Sequence, residues 1–138
     1  MKLFQTMDVN ASALGAQRLR LDLVASNIAN ANSTRTPEGG PYRRKVPVFA
    51  ENLRTAEGNV ALSGVRVLAI ADDQSPFRSV YDPSHPDANA DGYVLYPNVN
   101  IVNEMVNLME AGRAYEANVT AFNLSKEVFK AALSIGRG

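Results

Sequence analysis

From Ile101 to Leu133 the chain repeats its positions at alternating intervals of four and three residues: Ile101, Met105, Leu108, Gly112, Tyr115, Val119, Phe122, Lys126, Phe129 and Leu133. Only a helix with one heptad stripe keeps that period. Sustained over about 33 residues, it dictates a rod roughly 50 Å long at 1.5 Å rise per residue. Asn98 or Asn100 is placed to cap the start, and Glu104 in the first turn suits the positive end of the helix dipole.

A second seam, Ala117, Ala121, Leu124, Val128, Ala131 and Ile135, runs along the same helix two residues out of step with the first. Two residues are about 200° of helix, so the C-terminal half is apolar on nearly opposite faces. The segment from Leu3 to about Ala31 has a weaker version of this doubling. Its main seam is Met7, Ala11, Leu14, Leu21, Ala25 and Ile28, broken by Arg18, with Val9, Ala13, Ala16 and Leu23 offset from it. This helix should stop near Asn30, where Asn30 to Thr34 and then Pro37 end the pattern. Pairing the two helices leaves apolar surface over, at about 25 cal/mol per Å². Neighbouring subunits are the natural cover, because large apolar patches seldom stay exposed on a monomer. The same pattern also fits the central helix of a monomeric core. Gly112 costs about 1 kcal/mol relative to Ala inside a helix, which another backbone approaching closely there would explain.

Between the helices the character changes: all seven prolines lie from Pro37 to Pro97. Val46 to Phe49, Val65 to Ala71, Phe77 to Tyr81 and Tyr93 to Tyr96 read as short strands separated by turns such as Pro37 to Pro41 and Asp91-Gly92. An insert of about 60 residues is marginal alone and should lean on the helices or a partner. The expected architecture is mainly α with a small β insert, its long terminal helices paired as an antiparallel coiled coil. Residues 1–34 and 98–138 are the helical parts and 35–97 the insert.

Fourteen basic and fourteen acidic residues give zero net charge, and no segment is a polycation, which argues against nucleic acid as a partner. The basic cluster Arg43-Arg44-Lys45 beside Tyr42 reads as a solvated strand edge, or as a patch for an acidic neighbour. Cysteine is absent, which removes disulfides, thiolate metal sites and thiol nucleophiles. No stretch resembles a cleaved signal peptide or approaches the length of a membrane span.

Catalytic chemistry finds no constellation. His85 sits between Pro83 and Pro86 with no second histidine, and reads as a solvated loop residue. Asp72-Asp73 read as turn formers ahead of Ser75-Pro76. Asp87 to Gly92 matches the first half of an EF-hand loop, but its twelfth position is Asn98 where the pattern needs Glu. A turn is expected there. The rival functional reading, a monomeric calcium- or ligand-binding module, would use this loop. No cofactor, no metal and no enzymatic activity are expected.

Two stretches carry a resemblance. Ala25 to Thr34, with Asn27, Asn30, Asn32 and Thr34, followed by Tyr42-Arg43-Arg44, resembles the N-terminal signature of the bacterial flagellar rod, hook and hook-associated axial proteins. Pro97 to Val119, with Pro97, Asn98, Asn100, Glu104, Met105, Arg113, Tyr115 and Glu116, resembles their C-terminal signature. The short length and the linker Tyr81 to Val94 are similar to the proximal-rod members; Pro37 to Pro41 departs from the first motif by adding residues before Tyr42. The resemblance implies a periplasmic subunit of the basal-body rod, transmitting torque mechanically and exported by the flagellar type III apparatus without a cleaved signal. Its implied partners are itself, other rod subunits, the rod-base adaptor and the export apparatus. Its terminal helices would form an inner coiled-coil layer.

Overall fold

Asn100 begins the longest element of the chain: its side-chain oxygen accepts from the backbone N–H of Val102 (3.0 Å) and Asn103 (3.2 Å), satisfying donors that an isolated helix start would leave unpaired. The helix it caps, α2, runs Ile101–Ile135. In the computed structural model, which describes residues 2–56 and 59–136, the order is α1 (Lys2–Ala29), β1 (Lys45–Ala56), β2 (Asn59–Asp72), β3 (Arg78–Tyr81), β4 (Tyr93–Tyr96), α2. It is thus two terminal helices around a small β insert. Asn100, of the two cap candidates, takes the cap; Asn98 serves elsewhere.

The insert holds two separate antiparallel pairs, β1 with β2 and β3 with β4. β1 and β2, at 12 and 14 residues, are far longer than the expected Val46 to Phe49 and Val65 to Ala71. The difference has a physical cause: once Lys45 to Val48 pairs with Ala69 to Asp72, each further residue gains ladder bonds from its partner, so pairing carries the strands beyond their β-branched stretches. Two register shifts, at Val48/Phe49 and Glu51/Leu53, twist the resulting ribbon.

α1 lies at the centre of the molecule, packing against α2 and against both strands of the ribbon. α2 makes no backbone-level contact with the ribbon among the described residues. The ribbon is seated on α1 at Ser12, whose hydroxyl donates to Val9 O and accepts from Val65 N (3.1 Å). That seat requires Gly64, which has φ +103° and where a Cβ would stand 2.1 Å from Ser12 Oγ.

Burial follows this layout. On α1 the buried positions are Ala16, Leu23, Val24 and Asn27, with Ala31 just beyond its end; on α2 they are only Glu104 and Ala111. Val94 of β4 and Pro97 just after it are also fully buried.

Candidate functional site

Two of the largest fully buried side chains among the described residues are polar. Glu104, in the first turn of α2, and Asn27, in the last turns of α1, are each 1% exposed. Asn27 Nδ2 donates to Glu104 Oε2 (2.9 Å) and to Lys45 O (2.9 Å), while its Oδ1 accepts from Lys45 N (2.9 Å) and the Tyr42 hydroxyl (3.0 Å). One amide therefore joins both helices to the start of β1. The other carboxylate oxygen of Glu104 accepts from Arg44 Nε (2.8 Å) and Asn107 Nδ2 (3.2 Å). A buried carboxylate is tolerable only with such a set of donors.

Arg44 extends the junction outward. Its guanidinium also pairs with Asp73 (3.2 Å), its backbone N–H donates to Asn98 Oδ1 (2.8 Å), and Asn98 Nδ2 returns to the carbonyls of Asp73 and Ser75. Asp73 is held below the usual carboxylate range by the Ser75 hydroxyl and backbone N–H, with Arg44 adding to the effect. Arg43 lies over the Phe77 ring at 4.2 Å and donates to Asp73 O. Lys45 pairs with Asp72 (3.0 Å), which raises its pKa above the ordinary lysine value. The three basic residues are thus each paired within the chain: Arg43 and Arg44 are half-buried, while the Lys45–Asp72 pair stays open to solvent. The sequence pattern could not show this because every partner lies on a different element.

The loop once comparable to a calcium site is likewise internally committed. The Asp87 carboxylate accepts from the Thr34 hydroxyl (2.8 Å) and pairs with Arg35, and these partners hold its pKa low, Thr34 contributing most. Asn89 Oδ1 accepts from the backbone of Asp91 and Tyr93, so the segment is a closed turn. Its Gly92 (φ +81°) lies where a Cβ would meet the Tyr81 ring at 2.8 Å. His85 is half-buried, not solvated: its Nδ1 accepts from Asp87 N and its ring meets Tyr96 edge-on. Among the described residues no group of three or more His, Asp and Glu side chains could hold a metal. Asp73 does form the expected turn, through Ser75 N (2.9 Å).

The residues of the expected assembly seams fall into two sets. Met7, Leu14, Leu21 and Ile28 on α1, and Leu108, Tyr115, Val119, Phe122 and Phe129 on α2, are half-buried; Ala11, Met105, Leu124, Val128, Leu133 and Ile135 are exposed. Exposed Val102, Val106 and Met109 continue the stripe of Leu124, Val128 and Ile135 toward the start of α2, with Arg113 and Glu116 at the break. A Cβ on Gly112 would meet nothing within 4 Å, so no backbone of this subunit explains that glycine. Of the signature residues, Asn27, Tyr42, Asn98 and Glu104 meet in the junction, with Pro97 buried nearby. Asn30 caps back onto Ser26 O, Thr34 holds Asp87, and Asn100 caps α2. Asn32, Arg113 and Glu116 face solvent. The sequence reading missed Arg44, Asp73 and Asn107 as members of the junction; only the polar residues interrupting apolar stretches near both helix ends hinted at it.

Comparison with known proteins converges on one group. The family model described as flagella basal body rod protein matches residues 7–35, and that described as flagellar basal body rod FlgEFG protein C-terminal matches residues 90–135. A flagellar basal-body rod protein FlgC from Borreliella burgdorferi is 45% identical over the full length of both chains. Proteins of the same description from Bacillus subtilis (45%) and Escherichia coli (44%) are covered completely by 99% of this chain.

Proposed function

We infer how the molecule works from one premise: the chain belongs to the FlgC family of flagellar basal-body rod proteins and is a structural rod subunit of the basal body, not an enzyme. As such it assembles with other flagellar rod subunits. We propose that α1 and α2 form an antiparallel coiled coil, supported by Asn27 touching Glu104 and Arg20 touching Glu110 (3.4 Å), the α2 position rising as the α1 position falls. In this reading residues 1–34 and 98–138 make the inner coiled-coil layer and residues 35–97 the outward insert. The half-buried seam joins the helices within a subunit, and the exposed stripe Leu124, Val128 and Ile135 joins subunits.

The observation that carries the proposal is the exposure of that stripe, with Leu124 at 61% and Val128 at 50%, on a helix whose opposite face is covered by α1. Apolar surface of this extent is costly in water and favours burial against neighbours, so that torque passes by packing. Contacts with the rod-base adaptor and the export apparatus, a periplasmic location and export without a cleaved signal complete the proposed setting.

Val128→Asp tests it. Because Val128 faces solvent in the subunit, the variant should fold and be exported normally yet fail to build rods, leaving cells non-motile. Normal swimming by cells carrying only this variant would refute the seam.

A further inference from the structure

Asp73, Asp82, Asn89 and Asn100 each use a side-chain oxygen to accept from the backbone N–H two residues further on, at 2.9–3.1 Å. His85 fills the same slot with a ring nitrogen, its Nδ1 accepting from Asp87 N at 3.1 Å. The two kinds of acceptor part company in mild acid. Amide and carboxylate oxygens go on accepting there, whereas an imidazole that takes up a proton carries donors on both nitrogens. A neutral ring with its proton on Nε2 therefore closes this turn. An imidazolium would set N–H against N–H and cannot close it.

The turn positions Asp87, whose carboxylate accepts from the Thr34 hydroxyl (2.8 Å) and pairs with Arg35. These bonds tie the stretch after α1 to the loop between β3 and β4. The backbone around the ring is committed to the same turn: His85 N–H donates to Asp82 O (3.2 Å) and Ala88 N–H to His85 O (3.0 Å). Four charged groups surround the imidazole. Asp82 and Asp87 flank it within the loop, Arg35 reaches Asp87 from the α1 side, and Arg78 of β3 lies over the Tyr96 ring that His85 meets edge-on. Asp82 and Asp87 are both held below the usual carboxylate range, chiefly by the hydroxyls of Ser84 and Thr34 respectively. Both thus stay ionised where imidazole titrates. They attract a charged ring while Asp87 N–H repels it, so protonation draws the ring off the backbone.

We propose that His85 is a proton-operated pin in the loop from Asp82 to Gly92. Neutral, it holds Asp87 within reach of Thr34 and Arg35; protonated, it frees Asp87 N–H and loosens the tie between the end of α1 and the β3–β4 pair. The response falls between about pH 5 and 8, the window in which histidine changes charge. The chain has a single histidine, so the response is traceable to one ring. The junction around Glu104 contains no histidine and stays closed.

Nuclear magnetic resonance on the full chain, titrated across that window, tests the pin. As the His85 ring signals record protonation, protection of the Asp87 amide, corrected for the intrinsic effect of pH on exchange, should fall by about fivefold, the worth of one ordinary hydrogen bond. The Thr34 amide signal should move with the same midpoint. His85→Asn supplies an oxygen that accepts from the same N–H without titrating, so this variant should hold its Asp87 protection throughout. Native protection unchanged while the ring takes up its proton would overturn the proposal. So would an equal loss in His85→Asn, which would assign the response to the carboxylates.

Discussion

At its first turns α2 buries a glutamate among arginine and amide donors, whereas at its last turns it holds Leu133 and Ile135 in solvent. Although the core is otherwise apolar, with Ala16, Leu23, Val24 and Ala111 buried, these two ends of α2 depart from the usual layout in which charge lies outside and aliphatic surface inside. The departure separates two tasks. Polar residues close the chain on itself, where directional bonds fix the mutual setting of α1, α2 and β1. Apolar residues such as Leu23, Val24 and Ala111 fill the contact between the helices, while Leu124, Val128 and Ile135 remain exposed, where non-directional burial can supply binding energy in the proposed contact with neighbours.

The largest expected effect breaks the polar end. Glu104→Ala leaves the Arg44 guanidinium and the Asn27 amide without their shared acceptor, and breaking a buried pair from one side typically costs about 3–5 kcal/mol. Thermal denaturation of the purified subunit should show a large drop in melting temperature. A variant that melts with the native protein would show that the junction contributes little to closing the chain.

An intermediate effect belongs to the seat of the ribbon. Gly64→Ala forces a side chain into a left-handed backbone conformation and against Ser12, for an expected loss of about 1–3 kcal/mol. The same melting measurement checks it, and exchange at Val65 N–H should accelerate as its bond to Ser12 opens.

The smallest effect concerns pH. Because Asp73 is held below the usual carboxylate range in the folded chain, its contribution is present above the ordinary carboxylate pKa, near 4. It is lost as the pH falls through that value to the depressed one. Asp73→Asn should therefore be less stable than the native chain at neutral pH, by about 0.5–1 kcal/mol for a half-buried ion pair near the surface, and the gap should close in acid. A gap independent of pH would assign the loss to geometry and not to charge.

Much of this contrast was legible in the sequence, and the reason is locality. The four-three spacing from Ile101 to Leu133 and the cap at Asn100 are short-range signals, so the extent of α2 and the exposed second seam through Leu124 and Val128 followed from neighbours in the chain. The junction is different in kind. Asn27 and Glu104 are 77 residues apart, and nothing in the spacing of either helix announces the other. The flagellar signature identified Asn27, Tyr42, Asn98 and Glu104 as a set without giving their roles. Arg44 and Asp73, read as an edge and a turn, acquire their meaning only from pairing across elements. The length of the ribbon was hidden similarly, because Glu51 to Thr55 has no β-branched alternation and becomes strand through its partner.

The central claim, that α2 is anchored to its own chain through Glu104 and Ala111 and leaves its exposed apolar flank, most of all its distal end, for neighbours, is tested most directly by amide hydrogen exchange on the free subunit and on assembled basal bodies. In the free subunit, protection should be strongest in the first turns of α2 around Glu104 and Ala111 and should fall away toward Leu133 and Ile135. Assembly should raise protection chiefly at that distal end. Equal protection along the whole of α2 in the free subunit, unchanged in the rod, would contradict the account.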